Sequence, residues 1–342
     1  MTATGSSIVS VSFDRKLSWS SIQSLLSCGQ KFRYQQQERL ERIPTAAHFG
    51  RLRGTFFHAA IDSAMRGQRY QDGMREAREK EEVKFLNVFD RQELDDTMNR
   101  AYKEAAELAE YHIPKLGIGT KIKAVVTEGE FSFHFSKDFD FTGRYDAIVQ
   151  DLETGEVVLV DWKLRDSFNS LESAMMDGQL YAYAYALRQL GTNVDALRFY
   201  EFSSKQPSPA SIKVSKGVPT GIPNTGAASY DTTWERWSAD VARYGVVDPE
   251  SYRDEMQGKL KTDDDFMNVI TLPITPASYA ETERRLKAAR ELLAFNVSQD
   301  VPTAAYSSFI CKGCDFLKLC ISEGRHGLDA GELKSRYYVK RK

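Results

Sequence analysis

The sequence is poor in cysteine, in net charge and in long apolar runs, and the first and last of these shortages each exclude a class of protein. Four cysteines in 342 residues cannot build a disulfide scaffold. No stretch approaches the roughly 20 uninterrupted apolar residues of a membrane helix. The opening MTATGSSIVSVSFDRK lacks the charged start, apolar run and cleavage site of an export signal. A soluble cytoplasmic protein, away from the membrane, is expected. The 46 basic residues nearly cancel the 48 acidic ones, which leaves nucleic acid open as a partner because binding depends on a local basic surface and not on the sum. No GxxxxGK[ST] loop is present, so a nucleotide-driven motor is not encoded here. No fixed-period repeat is found. What the sequence does contain is 42% hydrophobic residues, enough for an ample core, at a length that suggests one elaborated domain.

Hydrophobic spacing predicts a helix over 17 to 41, with Ser18 as its N-cap and a break at Cys28-Gly29, followed by a basic-aromatic patch. Residues 50 to 115 read as several charged helices, the first opening near GTFFHAAIDSAM. The period then changes. AVVTEGEFSFHFS, FDFTGRYDAIVQD and GEVVLVDWKL predict a three-strand meander; a helix over 170 to 191 closed by Gly191 and a strand over 194 to 204 follow. The Ser/Pro/Gly-rich 203 to 229 predicts an exposed hairpin and loop, 231 to 260 and 275 to 296 read as helices, and a strand lies between them. The expected fold is therefore α/β, a mixed sheet flanked by helices.

The strongest chemical signal is GRYD at 143 to 146 followed by VVLVDWK at 157 to 163. Residues i and i+2 of a strand share a face, so Asp161 and Lys163 project together, and a paired strand can bring Asp146 beside them from its own end. Convergent carboxylates suit a hard cation such as Mg2+ or Mn2+, and a neighbouring ammonium can orient the attacking water or offset charge on a phosphate. A D-x-K pair by itself is common, and is equally a cross-strand ion pair.

Two further segments keep company with it. RGTFFHAA places His58 four residues after Gly54, and DGQLYAYAYAL places Gln179 and Tyr183 one helical turn apart. Taken in order, these segments resemble the RecB-like branch of the PD-(D/E)XK nuclease superfamily, with its AddB nuclease domain and CRISPR-associated exonucleases. That branch carries a G-x-x-x-H helix, a GxxD strand, a D/E-x-K strand and a Q-x-x-x-Y helix. The resemblance implies a restriction-endonuclease-like fold, with His58, Asp146 and Asp161 as metal ligands. Lys163 would activate water, while Gln179 and Tyr183 would orient the site and the DNA. The LSWSSIQSLLSCGQKFRY opening is similar to the branch's N-terminal segment. Asp161 stands where many members have Glu.

The cysteines fall as Cys28 and, far away, the C-x2-C-x5-C run Cys311, Cys314 and Cys320. Spacing alone admits a tetrahedral zinc, an iron–sulfur cluster or unrelated thiols. Iron–sulfur members of the same branch have one cysteine before the nuclease motifs and three after, which implies a 4Fe-4S cluster stapling the two ends of the nuclease.

Candidate phosphate contacts are Lys31, Arg33, Arg51, Arg53, Arg144 and Arg165, with Tyr34 and Trp162 as candidate base-stacking groups; each arginine or lysine is equally a solvated surface charge. The basic tail KSRYYVKRK could track a strand or fray. The whole reading is one nuclease domain over 1 to 342. It comprises an N-terminal segment at 17 to 45, a helical insertion at 50 to 115 and a catalytic core at 120 to 202. A hairpin, loop and helices at 203 to 296 and a cluster region at 305 to 325 complete it. The expected activity is a Mg2+- or Mn2+-dependent DNA exonuclease acting on ends or single strands in recombination, repair or phage DNA processing. It would be bacterial or phage-encoded, with any helicase a separate partner. The alternatives are a catalytically silent iron–sulfur DNA-binding subunit and a defence endonuclease.

Overall fold

The computed structural model describes residues 15–43, 49–84, 91–215, 218–244, 248–297, 304–326 and 330–340. The N-terminal segment begins with the short strand β1 (Lys16–Leu17) and helix α1 (Trp19–Ser27). The Ser18 hydroxyl accepts the Ser21 N–H at 3.3 Å, so the expected N-cap sets the start of α1. Cys28 is extended and ends the helix; α2 (Gly29–Phe32) follows and runs into a π-helical turn over Arg33–Gln37. After β2 (Leu40–Arg42) come α3 (Phe49–Met65), α4 (Tyr70–Lys84) and α5 (Arg91–His112). Helix α3 is already running at Phe49, so His58 sits in its middle and not at its opening.

The meander forms as predicted, with β3 (Ile122–Ser136), β4 (Phe139–Asp151) and β5 (Val157–Arg165) pairing antiparallel in turn. The single helix expected over 170 to 191 is two, α6 (Leu171–Met176) and α7 (Gln179–Gln189). The Asp177 carboxylate accepts the Gln179 N–H at 3.0 Å and restarts the chain as α7. Gly178 between them is required by close packing, since a Cβ there would stand 2.5 Å from Trp19 Cζ2. β6 (Ala196–Ser203) then runs parallel to β5, the helices supplying the crossover that parallel pairing needs.

The 203 to 229 stretch holds the hairpin of β7 (Ile212–Ser215) and β8 (Val218–Pro223). Helices α8 (Trp234–Arg243) and α9 (Arg253–Met256) close a small satellite core around Trp237. β9 (Met267–Pro273) adds antiparallel to β6, and α10 (Pro276–Val297) returns across the sheet. The chain ends in α11 (Ser308–Lys312), α12 (Leu317–His326), α13 (Gly331–Tyr337) and β10 (Tyr338–Lys340).

The main sheet has the order β1-β4-β5-β6-β9, with β3 on the far side of β4. One face is covered by α1, α7 and α10 and the other by α3, α4 and α5. Helices 49 to 112 are therefore one of the two layers that close the sheet. They do so because α3 buries Leu52, Phe56, Phe57, Ala60 and Ile61 at helical spacing against Val158, Val160 and Trp162 of β5. This is the mixed α/β, restriction-endonuclease-like architecture. Among the described residues no helix is long and apolar enough to cross a membrane.

Candidate active site

The site lies where β4 and β5 part. Their ladder runs from Gln150↔Val157 to Ala147↔Val160 and stops. Beyond it the Trp162 N–H, which would otherwise lack a strand partner, donates to Asp146 Oδ2 at 2.8 Å. Both aspartates therefore sit inside their strands, at the fork, and not at strand ends. Side-chain alternation in β4 also changes phase here: Tyr145 packs in the α7-side core, while Ala147 and Val149 pack in the α3-side core. Opposite the change, Glu128 of β3 takes a left-handed φ of 47°. Asp146 can thus meet His58 from α3, 3.4 Å from its Nδ1 to Oδ1, while lying next to Asp161.

Asp161 and Lys163 project from the same face of β5, the α7 side, and the ammonium stands 2.8 Å from Asp161 Oδ2. From α7, Gln179 Nε2 donates to the Tyr183 hydroxyl at 3.4 Å. Gly143 of the GRYD strand leaves room for this helix, since a Cβ would stand 2.6 Å from the Phe131 ring and 2.9 Å from Tyr183 Cε1. Gly143→Ala is expected to cost about 1–3 kcal/mol of stability, the usual range for overpacking. It should also push Tyr183 off Gln179. A urea titration reads the first effect, and a midpoint unchanged from wild type would refute the packing argument.

Burial and the neighbouring Asp146 charge push the Asp161 carboxyl up to about 6, from an ordinary 3.8. Burial acts on Asp146 in the same direction, but the His58 ring and the Trp162 N–H outweigh it and hold that carboxyl below its ordinary value. Burial would lower the Lys163 ammonium, yet Asp161 and Asp146 together keep it above its ordinary value, so it is charged. His58 is raised in the same way, burial being overcome by Asp146. Tyr183 is pushed up to about 12 by burial and by Asp161, which leaves its hydroxyl protonated.

Among the described residues no three His, Cys, Asp or Glu side chains already surround one point at coordination distance. At the fork the donor chemistry nevertheless fits a hard divalent ion. Asp161 is 5% exposed, and its carboxylate has one cationic partner among the described residues, the Lys163 ammonium at 2.8 Å from Oδ2, beside the carboxylate of Asp146 and the ring of His58, an oxygen-rich and imidazole donor set suited to such an ion. A cleft of about 740 Å³ leads in, lined by His58, Lys163 and Arg144, and also by Asp62 and Glu128, which motif reading did not single out. Asp62 was findable as the i+4 neighbour of His58. Glu128 emerges only from the β3–β4 register.

The candidate phosphate contacts are dispersed. Arg144 and Arg51 line the cleft. Arg33 is paired with Glu38 at 3.0 Å, Arg53 with Glu104 at 3.0 Å, and Arg165 with buried Glu201 at 3.3 Å. The two aromatics are corrected. Trp162 is 2% exposed and packs on Tyr200 and Phe202, on the sheet face away from Asp161 and Lys163, and Tyr34 is buried with its hydroxyl donating to Glu323 at 2.7 Å. Neither can stack on a base.

Lys31 belongs to a second site. Cys28, Cys311, Cys314 and Cys320 line one cavity with Lys31, Tyr34 and Tyr306. Burial pushes the Cys314 and Cys320 thiols up, a tendency that a bound cation reverses. Around the cavity Tyr34, Leu40, Phe316, Leu319 and Tyr338 make a core of their own. β2 pairs with β10, and Lys334 joins Glu38 and Glu323 at 2.7 Å each. The basic tail is thus neither a strand-tracking arm nor frayed over 330 to 340; residues 341 and 342 lie outside the described set.

Sheet, fork and motif order are those of a hydrolytic nuclease. The PD-(D/E)XK nuclease superfamily matches over residues 16–321, and the chain belongs to that family. DNA is the substrate class this membership implies. No curated protein matches the chain. Among solved structures it is similar to SSO0001, at 12% identity and a TM-score of 0.34, covering 91% of this chain and 87% of that one. It is similar also to a candidate exonuclease from Eubacterium rectale, at 11% identity and a TM-score of 0.41, covering 89% and 88%. At these scores neither likeness bears on the chemistry.

Proposed function

We propose that the chain is a divalent-metal-dependent DNA exonuclease of the RecB-like branch, one nuclease domain whose ends are stapled by a 4Fe-4S cluster. The observation that carries the reading is the meeting of His58, Asp146, Asp161 and Lys163 at the β4–β5 fork, with Gln179 and Tyr183 facing it from α7. His58, Asp146 and Asp161 would hold Mg2+ or Mn2+, which supplies Lewis acidity and charge neutralisation at the scissile phosphate. Lys163, held cationic by Asp161, orients the attacking water and offsets the charge that builds on the phosphate. The protonated Tyr183 hydroxyl and Gln179 donate hydrogen bonds that fix the position of the strand. Arg144, exposed at the cleft mouth, meets the backbone. The cluster reading is supported by four thiols on one cavity at the ligand spacing of that branch.

The test is digestion of end-labelled linear DNA and of circular single strands, with Mg2+, Mn2+ or chelator present. Mononucleotide or short products from linear DNA, an intact circle and no cleavage in chelator are expected. Cutting of the circle would replace the exonuclease by an endonuclease, and cleavage in chelator would remove the metal.

A further inference from the structure

Helix α6 is six residues long and leaves three large apolar side chains in water: Leu171 at 50%, Met175 at 49% and Met176 at 81% exposure. Single exposed apolar residues are ordinary, but three on one short helix mark a contact surface. The α6–α7 junction that follows them has two sides. Toward the fork it turns Asp177, a charged neighbour of both Lys163 and Tyr183, and the Gln179–Tyr183 pair. Tyr181 lies two positions from each member of that pair and so stands on the other side of α7. There it lines a cleft of about 240 Å³ with Met175, Met176, Trp19 of α1 and Arg285 of α10.

This cleft suits an uncharged ring better than a phosphate. Arg285 is already paired with Glu281 at 3.0 Å, and Glu172 and Asp177 flank the two methionines, so an anion would be repelled. Methionine is unbranched and polarizable, and its sulfur packs well against aromatic rings. Trp19 is 2% exposed, and its indole N–H, which can only donate, has no acceptor among the described residues. Apolar walls with a spare N–H donor match a nucleobase, a flat ring with acceptor atoms at its edge. A strand held beside Lys163 carries a neighbouring nucleotide past Asp177, one residue from Met176, so the substrate itself supplies the occupant.

We propose that this cleft is a base pocket, in which Met175, Met176 and Tyr181 enclose one unpaired nucleobase beside the scissile phosphate and the Trp19 N–H donates to an acceptor on its edge. The inference rests on the nuclease reading of the fork. It makes the chain selective for strands whose bases are free, because a base held in a duplex cannot enter.

Cleavage of end-labelled single strands in Mn2+, with one abasic site moved stepwise along the strand, tests it on the whole chain. In wild type one position should raise KM roughly tenfold, the cost of losing one base contact. The double variant Met175→Ser with Met176→Ser should raise KM for the intact strand to a similar extent, with kcat changed far less, and should no longer sense the abasic site. That rise should be equal at low and high salt, because no phosphate contact is lost. Trp19→Phe should abolish the preference for thymine over difluorotoluene, its analogue without carbonyl acceptors, at the same position. If the double variant does not fold, Met176→Ser alone serves, its side chain being largely in water. A flat abasic scan with wild-type KM in the methionine variants overturns the pocket, leaves the nuclease standing and gives α6 to a protein partner. A wild type that cuts no strand overturns both.

Discussion

Asp161→Asn is expected to abolish cleavage and to stabilise the protein at neutral pH. Loss of activity should reach roughly a thousandfold or more, because the change removes a metal-binding carboxylate and the counter-charge that holds Lys163. Stability moves the other way because the folded-state value of about 6 lies above the ordinary 3.8. Between these values the folded chain holds more protons than the unfolded one, so wild-type stability falls as pH rises from about 4 to about 6 and stays lower above. Asparagine, the neutral isostere, removes that penalty. In chelator the variant should gain roughly 3 kcal/mol at pH 7 or above and nothing near pH 4. Adding Mn2+ should raise the wild-type Tm by more than the variant's. Calorimetry at the two pH values checks this, and a variant less stable than wild type at pH 7 would contradict it.

Cys28→Ser should unfasten the N-terminal segment from α11 and α12. A resident group bound at about a thousandfold its dissociation constant contributes about 4 kcal/mol. For a chain of this length its loss lowers Tm by roughly 5–10 °C. Wild type prepared without oxygen should be brown with one cluster, and the variant pale. Colourless wild type carrying one zinc would replace the cluster by a zinc site, and four serines with no change in Tm would end the staple. Nuclease activity of the variant at low temperature should persist, because His58, Asp146, Asp161 and Lys163 stand on α3, β4 and β5, whose core is apart from the one around the cysteines.

The meander, the crossover and the order of the motif residues were legible because period-two alternation over 124 to 164 and the closing Gly191 are local signals. Four aspects of the site were not. The phase change at Asp146 depends on Glu128, eighteen positions earlier and across a hairpin, and no spacing rule encodes it. The break at Asp177–Gly178 depends on the Trp19 ring, which arrives from another segment. Trp162 alternates with Asp161 and reads as surface, until the α3 layer covers that face of β5. Arginines at 33, 53 and 165 look free in a row of letters, whereas their carboxylate partners come from elsewhere in the fold. Asp62 was visible one turn from His58, but an aspartate on a charged helix ordinarily faces water.

The closure of the chain on itself has a consequence for synthesis. Tyr34 meets Glu323 across 289 positions, and β2 pairs with β10. On a ribosome the sheet and both helical layers can assemble as β9 and α10 emerge, while the segment carrying Cys28 waits for residues 311 to 340. Assembly of the cysteine site therefore waits for residues 311 to 320 and follows that of the sheet. A chain stalled short of Cys311 would be a folded nuclease fork with β1 and α1 docked on the sheet and the segment between Cys28 and Arg42 unzipped, open to quality-control proteases.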